Sequence, residues 1–194
     1  IVGSVKMCIR DRYVIIMKMK EKKIDGEVLF DGKVVRLERD KVLCPNGRES
    51  IREVIHHNGG SAILCLTENQ EVLLIKQFRY PYDEVIYEIP AGKLEKNENP
   101  YDAALRELEE ETGNKATSLE FLGKIYPTCG YSSEIIYLYL AKNYIHTKTS
   151  FDEDECIESY YFPLEQVKKM ISSGEIKDAK TICAITYYLL KMNI

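Results

Sequence analysis

The stretch Gly92–Asn114, GKLEKNENPYDAALRELEEETGN, decides how this chain folds. Asn99-Pro100 joins an N-capping side chain to a first-turn proline, and Gly113 offers a left-handed stop. The spacing therefore predicts a helix over residues 100–112. At about 100° per residue, Glu107, Glu110 and Glu111 share one face. Tyr101, Ala104, Leu105, Leu108 and Thr112 share the opposite one, which is expected to look inward. Three carboxylates within a turn repel one another unless a cation sits between them. All-oxygen ligation suits Mg²⁺ or Mn²⁺ rather than zinc. Glutamates at i, i+3 and i+4 alone are ordinarily a solvated helix face. The surrounding pattern is what gives them a chemical reading.

That pattern is G-x5-E-x7-R-E-U-x-E-E-x-G-U, where U is a bulky aliphatic residue. Gly92, Glu98, Arg106, Glu107, Leu108, Glu110, Glu111 and Gly113 meet it. The chain resembles the Nudix hydrolases, departing only at the last position, where Asn114 replaces an aliphatic residue that packs rather than reacts. The resemblance implies an α+β fold of Nudix type, an α/β/α sandwich with a mixed sheet, plus an N-terminal antiparallel strand extension. It implies Glu107 and Glu111 as the main metal ligands, Glu110 contributing or bridging, and the Ala91 carbonyl as a further ligand. Arg106 would orient ligands by pairing with a carboxylate, and Glu98 would support them. Gly92 and Gly113 answer backbone requirements.

Composition narrows the field. The 194 residues are 45% hydrophobic and carry a formal charge of −4, with no basic block, which argues against a nucleic-acid surface. The six cysteines show no CxxC pair and fit reduced thiols in a cytoplasmic protein. The three histidines include no HExxH, and no stretch approaches a membrane span. The opening IVGSVKMCIRDRY resembles translated sequencing adapter, so a natural start is expected at Met17 or Met19. The expected plan is a non-native or disordered leader over 1–16, a dimerising strand extension over 17–60, and a hydrolase domain over 61–194.

Alternation and turn residues predict a hairpin over 28–43 around Asp31-Gly32, and a strand over 49–56. A second hairpin is expected from 62–66 and 72–77, then a short strand over 85–89. Strands over 119–126, 135–141 and 160–162 follow, with a polar loop over 146–155. Helices are predicted over 163–173 and 178–192. Strands flanking helices without a strict βαβ rhythm indicate helices against a mixed sheet.

Segments outside the signature resemble the ADP-ribose pyrophosphatase branch of the family. They are Gln77-Phe78-Arg79-Tyr80 with Tyr87-Glu88-Ile89-Pro90-Ala91-Gly92, then Pro127–Glu134, the acidic run Asp152-Glu153-Asp154-Glu155, and Gly174–Ala179. With Arg52-Glu53-Val54, the resemblance spans residues 28–190. It implies Mg²⁺-dependent hydrolysis of ADP-ribose to AMP and ribose 5-phosphate. Another nucleoside diphosphate sugar such as GDP-mannose, and a Nudix module that binds without turnover, are the alternatives. Cys129 stands where ADP-ribose-cleaving members usually carry proline, which weakens the substrate assignment.

By the same resemblance, the base sits on a mobile acidic loop, at Glu153 with Glu155 as fallback. A run such as DEDE is otherwise a solvated loop. Arg79 would contact a phosphate through its planar guanidinium, with a surface ion pair as the alternative. Arg52 and Glu53 would approach the adenine end from the partner subunit of a homodimer, and Ala91 and Gly92 would line the substrate site.

Overall fold

The computed structural model describes residues 19–149 and 156–194. The described residues fall into two units. One holds the residues up to His57 together with Gly130–Ser133, and the other holds Asn58–Cys129 and Glu134–Ile194.

The first unit is a three-stranded antiparallel sheet of β1 (Lys22–Asp31), β2 (Arg36–Leu43) and β3 (Glu49–His56), in that order. The predicted hairpin is present but begins six residues earlier, at Lys22. Ile55 also bonds Tyr131 and Ser133. All ten residues of β1 are exposed.

The larger unit is built on two sheets. β4 (Gly60–Cys65), β7 (Ala91–Lys93), β9 (Glu120–Ile125) and β10 (Ile136–Ala141) form a mixed sheet in the order β7-β4-β10-β9. Here β4 runs parallel to β10. β5 (Glu71–Arg79), β6 (Glu84–Glu88) and β12 (Glu158–Pro163) form an antiparallel sheet in the order β12-β5-β6. β8 (Asn114–Ala116) pairs with β11 (Tyr144–His146). Three helices complete the unit, α1 (Pro100–Thr112), α2 (Leu164–Ser173) and α3 (Ala179–Met192).

The expected hairpin of 62–66 and 72–77 is corrected. β4 and β5 meet only at a bridge between Leu66 and Val72, then part into different sheets. β4 is buried on both faces along its whole length and β5 over residues 72–75, so each needs a strand partner and a cover on either side there. Ala62, Leu64, Leu138 and Leu140 face a cluster containing Ile185 and Tyr188 of α3 and Val167 of α2. Ile63, Cys65, Tyr139 and Ala141 face Ala104 and Leu108 of α1. The period of two along β4 and β10 thus puts α1 on one side and α3 on the other, the expected α/β/α sandwich.

Candidate active site

Helix α1 spans the predicted residues. Asn99 Oδ1 accepts from Tyr101 N at 2.9 Å, and Gly113 closes the last turn at φ 65°. Ser61 of β4 ties the helix start to the sheet by donating to Pro100 O at 2.7 Å. Ala103, Ala104 and Leu108 are fully buried, which seats the helix closely on the sheet. The inward face is wider than the sequence implied, because Glu111 is also buried, at 3% exposure.

Burial of Glu111 has a structural reason. Its Oε2 accepts from the backbone N–H of Ala91 at 3.0 Å. Ala91 and Gly92 lie in β7, paired with Ala62 and Ser61 of β4. A side chain on Gly92 would meet the Glu107 carboxyl within 1.8–2.1 Å, so only glycine lets that carboxylate lie against the strand. The structure thus brings Ala91, Gly92, Glu107 and Glu111 into one place.

Arg106 organises the outer side. Its Nε and Nη2 donate to the two Glu98 oxygens at 3.0 and 3.1 Å, and Nη1 donates to Glu107 at 2.8 Å and Glu110 at 2.9 Å. The Glu98 bonds are the largest influence raising the Arg106 pKa above its ordinary value, and the same bonds hold Glu98 below the usual carboxylate range. Arg106 thus reaches three carboxylates of the signature.

Among the described residues, no three His, Cys, Asp or Glu side chains converge closely enough to hold an ion by themselves. The donors are nonetheless suited to a hard divalent cation, since all are oxygens and Gly92 leaves the Glu107 carboxylate room against the strand.

Arg79, at the end of β5, donates from Nε and Nη2 to Glu88 Oε1 and Oε2 at 2.5 and 2.9 Å. Glu88 is buried at 1% exposure, whereas the Arg79 side chain remains 36% exposed. The hydrogen bonds to Glu88 raise the arginine's pKa most, with further contributions from the charges of Glu111 and Asp178. The surface ion pair considered for Arg79 is thus a half-buried pair with a buried carboxylate.

Arg52 and Glu53 lie on β3, in the N-terminal unit. Arg52 donates to Glu21 from Nε at 3.0 Å and Nη2 at 2.5 Å, and Glu53 accepts from Arg39 at 3.1 Å. Glu153 and Glu155 lie outside the described residues. The segment leading toward them is anchored, since Thr147 donates from its backbone N (2.6 Å) and its hydroxyl (3.1 Å) to Gly113 O at the end of α1.

Sequence reasoning assigned no role to Glu88, Asp178, Lys180 or Thr181, which all meet beside Arg79. The available signal was a lone glutamate, Glu88, inside the apolar run 85–89. Such a group needs a buried cation. Asn114, the one departure from the signature, is buried and donates to the Tyr161 hydroxyl at 3.3 Å.

Comparison with known proteins places kinship beside this geometry. A family model described as NUDIX domain matches residues 56–184. The chain is 43% identical over 175 residues to the ADP-ribose pyrophosphatase of Bacillus subtilis (strain 168), covering 89% of this chain and 95% of that one. It is 40% identical over 174 residues to the methanol dehydrogenase activator of Bacillus methanolicus, covering 89% and 94%. A crystal structure of an ADP compounds hydrolase superposes with a TM-score of 0.79 at 20% identity, covering 90% of this chain and 95% of that one. That last likeness speaks for the fold alone.

Proposed function

The chain belongs to the Nudix hydrolase family, and from that premise we propose that it hydrolyses the diphosphate of ADP-ribose to AMP and ribose 5-phosphate. The observation that carries this reading is the meeting of Glu107 and Glu111 with the Ala91-Gly92 backbone, beside a half-exposed Arg79. The kinship to the Bacillus subtilis ADP-ribose pyrophosphatase over nearly the whole chain selects the substrate class.

Glu107 and Glu111, with Glu110 and the Ala91 carbonyl, would hold a divalent cation, Mg²⁺ or Mn²⁺, which supplies charge neutralisation on the phosphate oxygens when bound. Arg79 offers the N–H groups not used by Glu88 to the diphosphate, fixing it as a planar donor. Arg106 keeps Glu107 and Glu110 in register with the helix face. Glu153 takes the proton of the attacking water as its oxygen bonds to phosphorus and the bridging P–O bond breaks. Thr147 is anchored at Gly113, two residues from Glu111, and the six residues from there to Glu153 can span up to about 20 Å.

Arg52 and Glu53 are assigned to the nucleoside end, in a homodimer. The exposed Ile24, Val28, Phe30 and Ile51 of the N-terminal sheet support a partner there. The five described cysteines are free thiols, which supports a cytoplasmic protein. No helix among the described residues is long and apolar enough to cross a membrane.

A substrate panel tests the reading. With Mg²⁺, ADP-ribose is expected to give the highest kcat/KM among ADP-ribose, GDP-mannose, NADH, diadenosine polyphosphates and deoxynucleoside triphosphates, with AMP and ribose 5-phosphate in equal amounts. A preference of about tenfold or more for GDP-mannose, or 1.4 kcal/mol in transition-state binding, would move the assignment to that substrate. No turnover of any of them would make the chain a binding module. Light scattering on the active protein is expected to show a dimer, and a fully active monomer would contradict the assembly.

A further inference from the structure

The N-terminal turn of α3 carries a cluster of charged and polar groups that the chemistry above does not use. Asp178 caps the helix, its Oδ2 accepting from Thr181 N at 2.9 Å and from the Thr181 hydroxyl at 2.5 Å. Its Oδ1 accepts from Lys180 Nζ at 2.9 Å. Lys180 Nζ also donates to Glu88 Oε2, the same oxygen that accepts from Arg79 Nη2. The four groups run in a line, Arg79–Glu88–Lys180–Asp178, alternating in sign and summing to zero. Glu88 is 1%, Lys180 11% and Asp178 13% exposed, so the line is buried everywhere except at Arg79. A second tie leaves the same turn, because the Thr181 hydroxyl accepts from the backbone N–H of Ile89, two residues before Ala91.

We propose that this turn is a positioning element for the diphosphate site, in which Lys180, steadied by Asp178, sets through Glu88 how far Arg79 reaches toward substrate. The inference rests on the reading that Arg79 engages the diphosphate. Glu88 Oε2 has two donors, one from each cation. With Lys180 removed, that buried oxygen loses a donor it cannot replace from water, and the nearest substitute is another N–H of Arg79. The guanidinium would then be drawn inward and its substrate-facing edge lost. A lysine here keeps the arginine half outside.

Lys180→Met, Lys180→Arg, Arg79→Ala and the double variant Lys180→Met/Arg79→Ala test this with ADP-ribose and Mg²⁺. Lys180→Met is expected to raise KM about tenfold with kcat within about threefold, the signature of lost binding shared by ground and transition states. Lys180→Arg should return KM most of the way, because it restores a donor to Glu88. In the Arg79→Ala background, Lys180→Met should raise KM no further, since its effect passes through the missing arginine. Thermal unfolding read in parallel separates loss of fold from loss of positioning, and Glu88→Gln provides a second variant, expected to show the same coupling to Arg79. If Lys180→Met raises KM equally with and without Arg79, or leaves it unchanged, the positioning role is overturned while the diphosphate reading stands. If Arg79→Ala itself leaves KM unchanged, the reading of Arg79 fails and this inference falls with it.

Discussion

Two strands of this chain show opposite ways of being stable. Every residue of β4 is buried, and every residue of β1 is exposed. β4 lies between two helical layers and draws on apolar burial from both faces, about 25 cal/mol per Å² removed from water. The sheet of β1, β2 and β3 has Val42 as its one buried hydrophobic residue among those described. It relies on its ladder and on ion pairs such as Lys23–Asp40, Arg36–Glu38 and Lys41–Glu49. Ion pairs so open to solvent contribute little. The Ala91-Gly92 backbone that meets Glu107 and Glu111 belongs to the doubly covered sheet, whereas the thin sheet leaves Ile24, Val28, Phe30 and Ile51 exposed.

The sharpest way to break this contrast is to remove the proposed base. Glu153→Gln is expected to lower kcat by about 10²–10⁴ with ADP-ribose binding near normal, and Glu155→Gln to do much less. Exchanged effects would shift the assignment by two residues. If neither variant slows turnover, the base lies in α1, with Glu110 first to test.

The two sheets should also answer differently to truncation. Leu108→Ala, in the layer between α1 and the mixed sheet, should cost about 2–5 kcal/mol in denaturant unfolding. Val28→Ala on β1 should stay within about 0.5 kcal/mol in the monomeric chain. Comparable losses would mean that the thin sheet has a core of its own.

A smaller effect appears in acid. Burial pushes the Glu88 carboxyl up, but the hydrogen bonds from Arg79 and the charge of Lys180 outweigh it and leave the group below the usual carboxylate range. The stability this brings is complete above the unfolded value, near pH 4.3, and is lost as pH falls through the lower folded value. The Tm of the unmodified protein should therefore fall more steeply below about pH 4 than that of Glu88→Gln. Parallel curves would show that Glu88 is no longer paired in solution.

What the sequence revealed follows from how local each signal is. The limits of α1 were legible because Asn99, Pro100 and Gly113 act within one turn of the residues they govern. Strand β3 was legible from its own alternation. The parting of β4 and β5 was not, because the parallel partner of β4 is β10, more than seventy residues away. The three-residue strands β7, β8 and β11 are too short to show a period. Gly92, Glu107 and Glu111 could be read because the signature fixes their spacing. Glu88 and Lys180 are 92 residues apart and meet only through the fold.

The most direct test of the account is Glu111→Gln, assayed beside the unmodified protein stripped with chelator and titrated with Mg²⁺ or Mn²⁺. Glu111 is the carboxylate that joins α1 to the Ala91 backbone, so on this account it serves as ligand and as the tie between helix and strand. The stripped protein should be inactive and recover with either ion, and the variant should lose at least about two decades in kcat, or 2.7 kcal/mol, at saturating metal. Turnover near that of the unmodified protein in Glu111→Gln, or full activity in chelator, would contradict it.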